Sequence, residues 1–174
     1  MGIQFETDYN METLTAMAKG LRRTVRKKRS RRVHIFAAVV LVLGLLTILA
    51  TTAGGEPLGA SGVVTLLAML VVILVSLFED KLNAWFARKR LLPGTEHAAA
   101  TFEEDGYVSA TGVTESRFSY AQIVAVAETA RYFVFALSSH HTQAYDKRNI
   151  RGGSVEDFRA FIAEKTGKLV KNIK

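Results

Sequence analysis

The chain has 174 residues, a formal net charge of +7 and no cysteine, which excludes disulfide bonds, thiol catalysis and thiolate metal ligands. The charge is local, because residues 19–32 hold nine basic and no acidic residues, whereas residues 91–174 hold ten of each. We therefore attribute the basicity to contact with a membrane surface and expect no nucleic-acid partner, since the basic segment lacks the aromatic side chains on which bases stack.

The first predicted region, residues 1–32, joins a short strand to a basic amphipathic helix. Residues 3–9 alternate apolar and polar side chains, which is typical of a strand. A lone strand is unstable, so this one needs a partner in the sheet predicted further along the chain. Apolar residues at spacings of three and four then predict an amphipathic helix over residues 11–32, at the membrane surface.

Two apolar stretches, residues 33–53 and 58–78, contain no Asp, Glu, Lys or Arg. Each rises about 32 Å as a helix, roughly the thickness of the hydrocarbon core of a bilayer. The four residues between them, 54–57, suit a tight turn, so the sequence predicts an antiparallel transmembrane hairpin. Trp85 and Phe86 fit an interfacial aromatic anchor, so we expect the second helix to continue to about residue 90.

Two other interpretations of the apolar stretches are weaker. A cleaved secretory signal has a shorter apolar core and is not followed directly by a second span. A soluble protein rarely contains buried helices with uninterrupted apolar runs of about 20 residues.

The basic residues that flank the hairpin predict its orientation. Lys and Arg are retained on the cytoplasmic side of a membrane, so both termini are expected in the cytoplasm and the turn at residues 54–57 outside it. The same side chains are our candidates for contact with anionic phospholipid headgroups. They are Arg22, Arg23, Arg26, Lys27, Lys28, Arg29, Arg31 and Arg32 before the hairpin, and Arg88, Lys89 and Arg90 after it.

Residues 91–174 are predicted to form a small cytoplasmic domain with an antiparallel sheet. Predicted strands at residues 98–103 and 107–111 flank Asp105 and Gly106, a pair that strongly favours a two-residue hairpin turn. A meander then continues with predicted strands at residues 124–129, 132–137 and 143–145.

The predicted domain closes with a helix that covers the apolar face of the sheet. Ser154 and Asp157 form a variant capping box at its start, and Gly167 suits its end. The fold class is therefore a membrane α+β protein, in which a two-span helical hairpin precedes a small cytoplasmic antiparallel sheet capped by a C-terminal helix. A domain of this size is near the lower limit for an independent core, so we expect support from the N-terminal strand and the hairpin.

This order of elements and several patterns in the last domain resemble the YcxB-like family of bacterial membrane proteins. The patterns that carry the resemblance lie at residues 102–106, 118–123, 128–135 and 144–148. The resemblance implies a bacterial inner-membrane protein whose C-terminal domain is similar to a pleckstrin-homology domain, and it brings no established catalytic residues. The chain departs from the family at Tyr120 and Asp146, where such proteins often have Trp and Pro.

Residues of catalytic type are present, but a structural role explains each set better. His140 and His141 are adjacent on an extended segment and point to opposite faces, so they cannot readily share a metal ion. Glu103, Glu104 and Asp105 are expected at an exposed hairpin tip. Ser119, Ser138 and Ser139 do not lie in the Gly-x-Ser-x-Gly pattern that exposes a hydrolase nucleophile. Gly152 and Gly153 do not have the Gly and Lys spacing of a phosphate-binding loop. We therefore expect no enzyme activity, no metal site and no cofactor.

The preferred hypothesis for function is a non-enzymatic interaction module that the hairpin holds at the membrane. Its cytoplasmic domain binds a protein partner or peptide, and a homo-oligomer is the other expected protein contact. One alternative is a module that senses anionic lipid, for which Lys147, Arg148 and Arg151 are weaker candidate contacts. Another is an accessory subunit of a transporter, because spans this poor in polar groups do not predict a solute path through this chain alone.

Overall fold

The computed structural model describes residues 2–55 and 57–173, so Glu56, the acidic residue of the predicted turn, lies outside the described residues. The chain divides into two units. The first combines the residues up to Lys27 with those from Asn83 onward, and the second is Lys28–Leu82. The helices and strands are β1 (Ile3–Asp8), α1 (Met11–Arg23), α2 (Lys27–Ala53), α3 (Ala60–Leu77), α4 (Glu79–Lys89), β2 (His97–Phe102), β3 (Tyr107–Thr111), β4 (Glu115–Phe118), β5 (Ala125–Glu128), β6 (Tyr132–Ala136), β7 (Thr142–Asp146), α5 (Val155–Thr166) and β8 (Val170–Asn172), with short 3₁₀ turns at Tyr120–Gln122 and Lys147–Asn149.

The N-terminal strand is part of the first sheet. Sheet A has the strand order β1-β2-β3-β4, and each neighbouring pair is antiparallel. β1 pairs with β2 from Ile3 opposite Phe102 to Asp8 opposite His97. The strand alternates buried and more exposed residues, and Phe5 is only 1% exposed. β1 is therefore stabilised by pairing with β2. The whole second unit lies between these two strands in the chain.

A second sheet was not predicted as a separate layer. Sheet B has the order β7-β6-β5-β8, in which β5, β6 and β7 form an antiparallel meander and β8 runs parallel to β5. The predicted antiparallel sheet and C-terminal helix are confirmed, but the single meander is wrong: the described residues form two four-stranded sheets. The missed strands, β4 and β8, are short, and β4 is mostly polar, so neither shows a clear period of two.

The core between the two sheets consists largely of aromatic rings. Phe102 of sheet A and Phe133 of sheet B lie on either side of Phe158, with ring centroids 4.8 and 5.0 Å from it. Neighbouring rings meet mostly edge to face, which is the arrangement that aromatic quadrupoles favour. Each buried Phe contributes roughly 1.5–3 kcal/mol relative to an exposed one.

The predicted closing helix is confirmed as α5, and its ends are capped as expected. Asp157 N–H donates to Ser154 Oγ at 3.0 Å, and Ser154 N–H donates to Asp157 Oδ2 at 3.1 Å. Gly167 ends the helix with a φ of 62°, a conformation that glycine adopts without strain. Phe158 and Ile162 are fully buried on the face that packs into the core.

The amphipathic helix is shorter than predicted and covers the outer face of sheet B. Gly20 lies so close to β6 that a Cβ there would come within 2.7 Å of Val134 Cγ1. The prediction of one helix over residues 11–32 is wrong, because α1 ends at Arg23 and α2 begins at Lys27. Thr24 caps the end of α1 by donating from its hydroxyl to the Gly20 carbonyl at 2.7 Å. Residues 24–26 form a turn between the two helices.

The second unit pairs two long helices. Gly44 of α2 packs against Met69 of α3, and His34 Nε2 lies 3.8 Å from Glu79 Oε2, so the two helices run antiparallel. Both are long and apolar enough to cross a membrane, and almost none of their residues is buried. The second helix does not continue unbroken to about residue 90 as predicted. It ends at Phe78, which caps α3, and α4 follows as a separate helix to Lys89.

Candidate functional site

The basic residues predicted to contact lipid lie at helix ends and belong to both units. Those of the first unit are Arg22, Arg23, Arg26, Lys27, Arg88, Lys89 and Arg90, and those of the second are Lys28, Arg29, Arg31 and Arg32. All are exposed except Arg22 and Arg26, which are half-buried. Lys89 Nζ lies 3.6 Å from the centre of the Trp85 ring, a cation–π contact that holds the ammonium beside an exposed aromatic side chain.

Arg26 differs from its neighbours because it binds the β6–β7 turn. Its Nε donates to the Ser139 carbonyl at 2.6 Å, and its Nη2 donates to His140 Nδ1 at 2.9 Å. These bonds fix the segment between α1 and α2 against sheet B.

Lys147, Arg148 and Arg151 do not form a free cationic patch, because each of them faces a carboxylate. Lys147 is 12% exposed, so it is not available to a lipid headgroup, whereas the side chains of Arg148 and Arg151 remain mostly exposed. The three pairs are Lys147 with Glu128 at 2.7 Å, Arg148 with Asp146 at 3.2 Å, and Arg151 with Glu6 at 3.2 Å.

Glu128 is a buried carboxylate at the end of β5 that joins three elements. It accepts from Arg159 of α5 through both carboxylate oxygens at 2.7 Å and from Lys147 at 2.7 Å. The hydrogen bonds from Arg159 lower the pKa of Glu128 to about 2, with a further contribution from Lys147, although desolvation opposes the shift. This ion pair network fixes the C-terminal helix to sheet B.

Asp146 is the second buried carboxylate, and it lies at the end of β7. Arg131 donates to its Oδ2 from Nε at 2.9 Å and from Nη2 at 2.8 Å, and the same guanidinium also pairs with Glu12 of α1. The Asp146 N–H donates to Thr7 Oγ1 of β1 at 3.0 Å. This network connects the N-terminal strand and helix to sheet B. No local sequence pattern predicts this network, because its members are far apart in the chain.

Gln143 is a buried polar residue that sequence analysis also missed. Its Oε1 accepts from the hydroxyls of Tyr107 and Tyr145, both at 2.7 Å. Burial raises the pKa of both tyrosines above their usual value, so each hydroxyl stays a donor. This arrangement ties sheet A to sheet B within the core.

The predicted acidic tip of the β2–β3 hairpin borders a cavity of about 290 Å³, which is lined by residues 103–106 and 117–119. Glu103 pairs with Arg117 at 3.2 Å, and Glu104 pairs with Lys165 of α5. The hydroxyl of Tyr120 donates to the Glu103 carbonyl at 2.6 Å and so holds the tip in place. The tip is therefore an ordered acidic surface with two basic side chains beside it.

Strand β4 forms the free edge of sheet A beside this cavity. Thr111 N–H donates to the Thr114 carbonyl at 2.7 Å, which marks a hydrogen-bonded pair in the β3–β4 ladder. In an antiparallel pair, every second residue directs its backbone groups to the opposite side. The register therefore directs the backbone N–H and C=O of Glu115 and Arg117 outward. Such an edge can accept a further strand.

The other residues of catalytic type have local structural roles. Ser138 Oγ accepts from the backbone N–H of His140 at 3.1 Å and of His141 at 3.0 Å. The two histidines therefore belong to a turn that the Ser138 hydroxyl stabilises. Ser119 caps the 3₁₀ turn that follows β4. Over residues 2–55 and 57–173, no group of three or more His, Asp or Glu side chains is placed to hold a metal ion.

Comparison with known proteins finds a similarity over one part of the chain. A family model described as YcxB-like protein matches residues 102–162, from the end of β2 into α5. The matched range contains both buried carboxylates, Gln143 and strand β4, but neither β1 nor the helices of the second unit. The predicted resemblance to this family is thereby confirmed over the matched range. No curated protein and no solved structure matches the chain.

Proposed function

On the premise that residues 102–162 are YcxB-like, we propose that this chain is a non-enzymatic recognition module, anchored in the bacterial inner membrane and exposed to the cytoplasm. The observation that carries the proposal is the pairing of β1 with β2. This pairing joins the two flanks of α2 and α3 in one folded unit. The helical pair then serves as an anchor, and the two-sheet unit is left to bind a partner.

The exposed surface of α2 and α3 supports insertion into a bilayer. Their Leu, Val and Ile side chains are mostly about half exposed, and burying each one fully contributes about 1.5–3 kcal/mol. Hydroxyls on these helices bond within their own helix; Thr47, for example, donates to the Leu43 carbonyl at 2.9 Å and Thr65 to the Ser61 carbonyl at 2.9 Å. Both features suit hydrocarbon, where each polar group needs an internal partner.

The shared unit also supports the proposed topology. Because residues before α2 and residues after α4 fold together, the segment between them has to leave the unit and return to it. Two spans satisfy this requirement, and the basic residues at both flanks favour the cytoplasmic side.

The free edge of β4 is the proposed site for a protein partner. An extended peptide that pairs with β4 gains main-chain hydrogen bonds from Glu115 and Arg117. The adjacent cavity accepts one of its side chains. The three acidic residues 103–105 exceed the two basic side chains beside them, Arg117 and Lys165, by one charge, which favours a basic side chain there. The proposed partner segment is therefore an extended peptide that carries Lys or Arg.

A backbone substitution tests this site. The full chain in nanodiscs is panned against a displayed library of random peptides, and the enriched peptides are measured against two variants. Arg117→Pro removes the outward N–H at a position where an edge strand tolerates proline, whereas Arg117→Ala keeps that donor and removes the same charge. We expect basic peptides to bind the wild type and Arg117→Ala but not Arg117→Pro. No enrichment, or equal binding by the two variants, would contradict strand addition at β4.

A further inference from the structure

Several loops lie together at one end of sheet B, near residue 27, where α2 begins. At this end β6 stops while β5, β7 and β8 start. Arg26 donates to the Ser139 carbonyl, and Lys171 Nζ donates to the Arg23 carbonyl at 2.6 Å. The β6–β7 turn therefore contacts the segment that follows α1, and β8 contacts the last residue of α1. We call residues 23–27, 123–124, 137–141 and 167–171 the entry face.

The entry face exposes apolar side chains at its loops. Leu169, between α5 and β8, is 92% exposed, and Val124, just before β5, is 52% exposed. A leucine this exposed is stabilised when it enters an apolar environment. Neither side chain is used by the two-sheet core.

The charges around these apolar side chains are mainly positive. Lys165 is already paired with Glu104, and Glu164 is the acidic residue in the last turn of α5. Against this one acid, the basic residues of the entry face are Arg23, Arg26, Lys27, Lys168 and Lys171. An apolar tip set among basic side chains is the composition of protein surfaces that lie in the interface of an anionic bilayer.

We infer that the entry face docks on the anionic surface of the membrane that α2 crosses, with Leu169 inserted between headgroups and Lys168 and Lys171 facing lipid phosphates. The inference rests on the membrane anchoring proposed above. Chain continuity favours this occupant, because α2 begins at Lys27 within the face itself. Each Lys or Arg near such a surface is attracted to anionic lipid. This contact restricts the orientation of the two-sheet unit on the membrane.

The absence of cysteine from the sequence allows a direct test. The variants Leu169→Cys and Ala130→Cys are each labelled with an environment-sensitive NBD dye in the full chain. Ala130 is an exposed residue of the β5–β6 turn, at the opposite end of sheet B, and serves as the matched control. Both proteins are reconstituted into vesicles that contain anionic phosphatidylglycerol and a headgroup-proximal doxyl-lipid quencher.

The expected result is a blue-shifted emission at position 169 and quenching there at least roughly twofold stronger than at position 130. Replacing the anionic lipid by neutral phosphatidylcholine should reduce the quenching at position 169. Equal, weak quenching at the two positions in incorporated protein would overturn the inference, as would quenching that does not depend on lipid charge. Incorporation is measured separately by flotation after carbonate extraction, so a failure there contradicts the membrane anchoring itself.

Discussion

The ring of Phe5 in the first strand meets the ring of Phe158 in the last helix, with centroids 4.6 Å apart and planes inclined at 63°. The whole helical pair lies between these two residues in the chain. Their contact shows that the core of the two-sheet unit is closed by residues from both flanks of α2 and α3.

Replacing Phe5 by alanine should destabilise the two-sheet unit by about 3–5 kcal/mol, because the cavity left among the core rings cannot fill. Gln4→Ala, on the exposed face of the same strand, is the matched control and should change stability by less than about 0.5 kcal/mol. Urea unfolding of the full chain in detergent micelles, followed by near-UV circular dichroism of the buried tyrosines, measures both. A loss of similar size in both variants would argue against a core role for Phe5.

A fragment of residues 91–174 should not fold alone, although it contains the complete YcxB-like match. It lacks β1 and α1, which cover the edge of β2 and the outer face of sheet B. We expect a poorly dispersed amide NMR spectrum from the fragment and a dispersed one after addition of a peptide of residues 2–23. A fragment that unfolds cooperatively without the peptide would contradict this expectation.

Glu128→Gln should lower the free energy of unfolding at pH 7 by about 3 kcal/mol. It should also make that free energy change less as the pH falls into the acid range. The pKa of Glu128 falls from its usual value of 4.5 to about 2 on folding. Its stabilisation is therefore complete above pH 4.5 and is lost as the pH falls toward 2. Unfolding free energies measured between pH 7 and pH 2 should converge for wild type and variant at the acid end.

The control for Glu128 is Glu156→Gln, which alters an exposed partner of the same arginine, 3.7 Å from Arg159. It should cost less than about 1 kcal/mol, because solvent screens an exposed pair. If the two substitutions have equal effects, or if the Glu128→Gln difference persists at pH 2, the buried ion pair does not have the role assigned to it.

Gln143→Leu should destabilise the unit by about 2–4 kcal/mol, because it leaves the hydroxyls of Tyr107 and Tyr145 buried without their acceptor. In a background where both tyrosines are phenylalanine, the same substitution should cost much less. The double-mutant cycle is measured by urea unfolding. An unchanged cost in the phenylalanine background would show that packing, and not the hydroxyl pair, sets the effect.

Local signals predicted the elements that depend on local chemistry. The capping box of Ser154 and Asp157 and the stop at Gly167 require only a few neighbouring residues, and the structure contains both. The hairpin between β2 and β3 is also present, but its predicted turn is wrong: Glu103 N–H donates to the Gly106 carbonyl at 2.9 Å, so Glu104 and Asp105 form the turn, and neither Asp105 nor Gly106 has a positive φ. The second sheet is different, because β4 is mostly polar and β8 has three residues, so neither pattern stands out.

The polar networks could not be predicted for a related reason. Arg159 and Glu128 are distant in sequence, as are Arg131 and Glu12, and only the packing of helices on sheet B brings them together. For the same reason, the sequence predicts a surface contact for Lys147, which is nearly buried against Glu128. The sequence shows where Lys and Arg residues cluster, whereas the carboxylates that pair with them depend on the fold.

The central claim is that α2 and α3 cross the membrane and that both flanks stay in the cytoplasm. Single-cysteine variants Gly54→Cys, in the turn between the helices, and Ala130→Cys, in the two-sheet unit, test it with a membrane-impermeant maleimide on intact spheroplasts. We predict labelling of position 54 from outside and labelling of position 130 only after the membrane is permeabilised. Labelling of position 130 in intact spheroplasts, or protection of position 54, would contradict the account.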